Sequence, residues 1–301
     1  MRRRVLIGGL AAAAALMAAG TATFWPRALP ATPPLPRPDA PLATYHLGHS
    51  LVGRDMPAML AQLAGHVHAS QLGWGSSLRD HAKGTVAGFD TENAHPAHEP
   101  AEAALRSGRF DAVVLTEMVE LRDAVRYHDS ARWLAHWASL ARAANPNARL
   151  YLYETWHRLP DPEGWLDRID ADLQALWTDR VLTPAMQRSG QPIYLIPAGQ
   201  VMAAVTRAAE AGRIPGLTNR QDMFTDDIHL NDTGNYLVAL THFATLYHRD
   251  PTGLPPALTR VLTRADGTAA TPIAPQTARA LQHLVWATVP RYAATGMARG
   301  V

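Results

Sequence analysis

Two short stretches carry residue types that could do chemistry: Gly48-His49-Ser50-Leu51 and Asp226-Asp227-Ile228-His229. A serine hydroxyl is a poor nucleophile alone and needs a base within hydrogen-bond reach. His229 is such a base. Two residues separate Asp226 from it, and on a tight loop that carboxylate can fold back to one imidazole nitrogen. The other nitrogen is then left to face Ser50, and the carboxylate fixes the tautomer and steadies the imidazolium. Asp227 is the rival orienter, with a single residue between it and His229. A serine at position 50 also has a plain alternative role as a helix cap. Most of the chain separates the two stretches, so only the fold can bring them together.

From Ala43 onward, short apolar runs alternate with helical patterns. Strands are expected over 44–47, 67–72, 112–116, 149–154 and 192–197. The third and fifth are continuous apolar runs, as in strands buried on both faces. Met56, Met59, Leu60 and Leu63 recur on one helical face, and Gly65 is placed to stop that helix. Residues 130–144 carry Trp133, Leu134, Trp137, Leu140 and Ala141 on a similar stripe, and further helical patterns cover 165–177, 200–211, 233–248 and 277–289. The alternation predicts an α/β fold: a central parallel sheet of about five strands, covered by helices on both sides and joined by right-handed crossovers. In such a sheet reactive groups gather at the carboxyl ends of the strands. Ser50 falls just past the end of the first one, where turn amides can meet negative charge.

The chain has 301 residues, 47% hydrophobic and 18% charged, which fits one sizeable core and argues against disorder. A formal net charge of +2 and the lack of a basic stripe exclude a nucleic-acid partner. With no cysteine, disulfides, thiolate chemistry, cysteine-ligated zinc and a lipidated N-terminal cysteine are all excluded. Arg2-Arg3-Arg4 precede an uncharged run over 5–24, so residues 1–24 read as an export signal or a membrane anchor. Gly20-Thr21-Ala22 offers a cleavage point, and Arg3-Arg4 suggests a twin-arginine signal. The proline-dense stretch 25–42 is expected to be an extended spacer, and 43–301 one domain with a C-terminal helical extension. The domain is then expected to be exported: periplasmic, secreted, or anchored to the outer face of the inner membrane.

The two stretches, their order and their setting resemble the SGNH, or GDSL-type, hydrolases from about Ala43 to His248. The resemblance implies a three-layer α/β/α flavodoxin-like fold and a Ser50–His229–Asp226 triad; Asn231 and Gly234 after the last block also fit. It implies an oxyanion hole built from the Ser50 amide and a glycine amide in Leu72-Gly73-Trp74-Gly75, with Gly75 preferred and Gly73 the alternative. One block departs. The family's third block carries an Asn whose side chain donates to the oxyanion, but here Thr116 is followed by Glu117-Met118-Val119-Glu120. A carboxylate is no replacement donor, the Thr116 hydroxyl is a candidate, and the loss of one donor costs about 10²–10³ in rate. The other serine-hydrolase elbow needs a glycine where Val52 stands.

Trp74 and Trp156 end or follow strands at the presumed active edge, where an exposed indole could stack on a sugar and a buried one would only pack. Glu117, Glu154 and His157 lie near the same edge as candidate substrate contacts or solvated polar groups. Trp133 and Trp137 read as core. His66 with His68, and His95 with His98 and Glu99, lack a third ligand at recognised spacing, so no metal is expected. Neither is an organic cofactor. The expectation is an exported serine esterase cleaving acyl esters, with O-acetylated carbohydrate as the first substrate class. A polysaccharide O-acyltransferase using the same triad, or a non-catalytic glycan-binding or assembly protein, are the alternatives.

Overall fold

The computed structural model describes residues 32–256 and 268–298. Five strands form one sheet: β1 (Thr44–Leu47), β2 (His68–Gln71), β3 (Ala112–Leu115), β4 (Arg149–Glu154) and β5 (Tyr194–Pro197). All neighbours are parallel, in the order β2-β1-β3-β4-β5. That is the flavodoxin-like order, and its winding reverses between β1 and β3, which opens a crevice at their carboxyl ends.

The helices follow in chain order as α1 (Asp55–Ala64), α2 (Leu78–Lys83), α3 (Phe89–Glu92), α4 (Ala101–Arg106), α5 (Leu121–Tyr127) and α6 (Ser130–Ala144). After β4 come α7 (Trp165–Asp172), α8 (Thr183–Ser189), α9 (Ala198–Glu210), α10 (Asp232–Tyr247) and α11 (Pro275–Thr288). Between α7 and α8 the chain widens into π-helical turns over Leu173–Leu182, so the helix expected over 165–177 continues in altered form. Side-chain alternation along the strands builds two cores. Tyr45, Leu47, Val113, Leu115, Leu150 and Leu152 point into the layer containing α4, α6 and α8. Ala112, Val114, Tyr151 and Tyr153 point into the layer containing α1, α9, α10 and α11. Each fully buried Leu or Val contributes about 1.5–3 kcal/mol, so this double burial is what fixes strand register.

The packed chain starts before Ala43. Among the described part of the expected spacer, Pro33 O accepts the Tyr194 hydroxyl at 2.9 Å and Pro36 O accepts Arg149 Nη2 at 2.8 Å. Leu35 N donates to Gly296 O at 2.8 Å. Proline removes the donor but leaves the carbonyl, and here those carbonyls tie the strap to the amino ends of β4 and β5. No helix among the described residues is long and apolar enough to cross a membrane. The expected signal or anchor, 1–24, lies outside the described residues.

Candidate active site

β1 leaves the sheet through Gly48, and the chain turns over residues 50–54 before α1 begins. A side chain at 48 has no room, because its Cβ would lie 2.5 Å from Thr116 Cγ2. Glycine alone lets the exits of β1 and β3 pass this closely. Ser50 does not cap α1: the N-cap is Arg54, without a side-chain bond. The Ser50 hydroxyl instead lies 3.0 Å from His229 Nε2.

His229 comes from the loop ahead of α10. An antiparallel bridge from Phe224 to Leu230 closes that loop, with Thr225 N donating to His229 O at 2.8 Å. Asn231 caps α10, accepting from Thr233 N at 3.0 Å and Gly234 N at 3.1 Å, and its amide reaches back to Asp222 O at 2.9 Å. His229 Nδ1 lies 2.7 Å from Asp226 Oδ2. The other oxygen of Asp226 accepts Ile228 N at 2.8 Å and His229 N at 2.7 Å. Burial pushes this carboxyl up, but the bonds from His229 and Ile228 outweigh it and hold the pKa at about 2. An ionised Asp226 draws the ring proton to Nδ1, which leaves Nε2 as the acceptor facing Ser50.

Asp227 is committed elsewhere. Its carboxylate accepts Arg158 Nη1 at 2.8 Å, and its carbonyl accepts Leu159 N at 2.7 Å. Trp156 donates Nε1–H to Ile228 O at 2.9 Å and is 1% exposed. It therefore offers no face to a substrate, contrary to the sequence expectation; it holds the histidine loop in place.

Two neutral histidines pin the serine turn from below. His49 Nε2 donates to Glu117 O at 2.7 Å, and Leu51 N donates to His49 Nδ1 at 3.3 Å. His81 Nε2 donates to Gly48 O at 2.8 Å, while Gln71 Nε2 donates to His81 Nδ1 at 2.9 Å. Burial lowers both rings to about 4, so each keeps one donor and one acceptor at neutral pH.

Among the described residues no backbone carbonyl accepts the Ser50 or Gly75 amide. Thr116 is not the third donor. Its hydroxyl is buried and donates to Tyr153 O at 2.7 Å. Glu117 is no substrate contact either: it is fully buried, its carboxyl accepts Met118 N at 2.8 Å, and burial raises its pKa to about 7. Glu154 is likewise buried, bonded to Gln200 and raised by burial to about 8.

Ser50, Gly75 and His229 open onto a cavity of about 710 Å³ that is also lined by Trp74, Glu92, Glu120, His157 and Arg158. His157 reaches this wall as a polar residue past β4, bonded to Asp172 Oδ2 at 3.1 Å. Arg168 binds Glu120, Asp161 and Asp172 together. Sequence reasoning missed Glu92, which ends the four-residue α3, and Glu120 and Arg158, which lie outside helices and strands; none carries a periodic signal.

No protein-family profile and no curated protein matches this sequence. Among solved structures the chain is similar to a carbohydrate esterase family 3 protein from Talaromyces cellulolyticus, at 14% identity and a TM-score of 0.40, covering 69% of this chain and 97% of that one. It is also similar to a gut microbial diltiazem-metabolizing enzyme, at 10% identity and a TM-score of 0.39, covering 71% of this chain and about half (49%) of that one.

Proposed function

We propose that the protein is a serine esterase of SGNH type. The observation that carries this reading is the unbroken relay from Asp226 Oδ2 through the His229 ring to Ser50 Oγ, with contacts of 2.7 and 3.0 Å, on the lining of the 710 Å³ cavity. In the mechanism, Ser50 Oγ bonds to the ester carbonyl carbon as His229 Nε2 takes its proton. The Ser50 and Gly75 amides receive the developing oxyanion. The C–O bond to the alcohol then breaks, and the alcohol leaves with the proton from His229. Water then attacks the acyl carbon as His229 takes its proton; the bond from the acyl carbon to Ser50 Oγ breaks, Ser50 Oγ receives that proton, and the acid is released.

The finer reading is an exported enzyme acting on O-acylated carbohydrate. The basic and apolar residues over 1–24 support export, to the periplasm, the medium or the outer face of the inner membrane. An acyl-enzyme intercepted by a sugar hydroxyl would make the same site a transferase, and product analysis with and without an acceptor glycan separates the two. The test of the esterase itself uses purified protein and p-nitrophenyl acetate. Turnover that vanishes in Ser50→Ala supports the reading, and equal turnover by that variant removes Ser50 from the mechanism.

A further inference from the structure

Trp74 is one of three large apolar side chains left exposed among the described residues, at 54%. It is nevertheless held in a fixed pose. A Cβ on Gly88 would lie 2.2, 2.4 and 2.6 Å from Trp74 Cδ2, Cε2 and Cγ. Three ring atoms at nearly equal distance mean that the face of the indole, not its edge, rests on the bare backbone at Gly88. Glycine suits that point twice, since its φ is +65°.

The edge of the ring is fixed too. Trp74 Nε1 donates to Glu92 Oε1 at 2.7 Å, and Trp74 N donates to Ala87 O at 2.8 Å. The four-residue α3 that carries Glu92 is fastened to the end of β2 by buried Asn93. Its side chain takes Leu72 N at 2.9 Å and gives to Leu72 O and Phe89 O, each at 2.8 Å. The indole stays 54% exposed, among the described residues no hydrogen bond reaches the second oxygen of Glu92, and both residues line the cavity of Ser50.

A rigid, open indole face with a carboxylate at its rim has a narrow set of suitable ligands. The π face is electron-rich and attracts polarised C–H groups. The carboxylate oxygen needs a hydrogen-bond donor, since burying it without one is costly. A fatty acyl chain or an aryl acid would cover the carboxylate and give it nothing. A pyranose ring offers C–H groups on its face and hydroxyl donors at its rim. Trp74 directly precedes Gly75, and both line the same cavity as Ser50, so a ring stacked on the indole shares that cavity with the Gly75 amide.

Resting on the esterase reading, we propose that Trp74, Gly88 and Glu92 form a sugar-stacking subsite that selects esters whose alcohol is itself a pyranose with a free hydroxyl. The test compares kcat/KM on partly O-acetylated oligosaccharides of xylose, glucose and N-acetylglucosamine with that on ethyl acetate, whose alcohol has no ring. Trp74→Ala lowers this sugar-to-ethyl selectivity ratio by about 2–12-fold, as expected for one lost aromatic contact. Gly88→Ala, which keeps the indole but pushes it off its seat, lowers it in the same direction, as does Glu92→Gln. An unchanged ratio in Trp74→Ala overturns the subsite while leaving the esterase standing. If the wild type hydrolyses neither substrate, the esterase reading fails by itself, and calorimetry with the same oligosaccharides decides the subsite. Binding weakened by Trp74→Ala sustains it, and binding that is absent or indifferent to the substitution overturns it.

Discussion

His49 donates its Nε2–H to the main-chain carbonyl of Glu117 at 2.7 Å, and so ties the turn carrying Ser50 to the exit of β3. Those two strands flank the reversal of winding where the cavity opens. Glu117 stands where the SGNH resemblance implies an oxyanion-binding Asn, yet its carboxyl turns away to Met118 N. The backbone at this position holds the turn that carries Ser50, while the side chain is not part of the cavity lining.

His49→Ala therefore leaves the Glu117 carbonyl and the Leu51 amide without their partner. The expected loss is about 2–4 kcal/mol of stability, read by urea unfolding, with a lower kcat in the folded protein. Unfolding that matches wild type within about 0.5 kcal/mol would contradict the positioning role.

Asp226 and Asp227 are adjacent, but only one faces the ring. Asp226→Asn is expected to lower kcat by about 10²–10⁴ through loss of the oriented tautomer. Asp227→Asn, which loosens only an exposed pair with Arg158, stays within about tenfold of wild type. Equal losses in the two variants would show that the orienter is misassigned.

Trp156→Phe keeps an aromatic ring against Phe224 but removes the bond to Ile228 O. One lost hydrogen bond costs about 1 kcal/mol. The greater effect is expected in kcat, since the loop presenting His229 loses an anchor, with KM changing little. A rise in KM at constant kcat would restore Trp156 to the role of substrate contact.

Stability should peak near pH 7, where the opposing proton differences cancel. His49, His66, His81, His242 and His248 have folded values near 4 because burial disfavours the imidazolium. Their ordinary value is 6.5, so the unfolded chain binds more protons between about 4 and 6.5. Stability is then full above that window and falls as the pH drops through it. Glu117 and Glu154 act with the opposite sign: burial raises them to about 7 and about 8, so their contribution is present below about 4.5 and is lost as the pH rises through those values. Five histidines outweigh two carboxyls on the acid side, and only the carboxyls act above about 7. Urea midpoints across pH 5 to 8.5 check this, and a midpoint still rising toward pH 5 would contradict it.

The strands were legible as short apolar runs bounded by turn residues, and the long helices as one-face stripes. Residues 44–47, 149–154 and 130–144 fall where expected, and the doubly apolar third strand is buried throughout. The short helices α2 to α5 were not foreseen, since four to seven residues are too few to display a period. The Ser50–His229–Asp226 grouping was legible from residue types and order. Trp156 was misread because sequence places an indole at a strand end but cannot tell which neighbour its N–H will find. Thr116 was misread for the same reason, with the Tyr153 carbonyl as the partner that sequence spacing does not reveal.

The central claim is that Ser50 is a nucleophile activated by His229. Treatment of the full chain with a fluorophosphonate, followed by peptide mass mapping, tests it most directly. The account predicts a single phosphonyl adduct on Ser50 that is lost in Ser50→Ala and formed far more slowly in His229→Ala. Absence of an adduct on Ser50 in the folded wild-type protein, or labelling indifferent to His229, would contradict it.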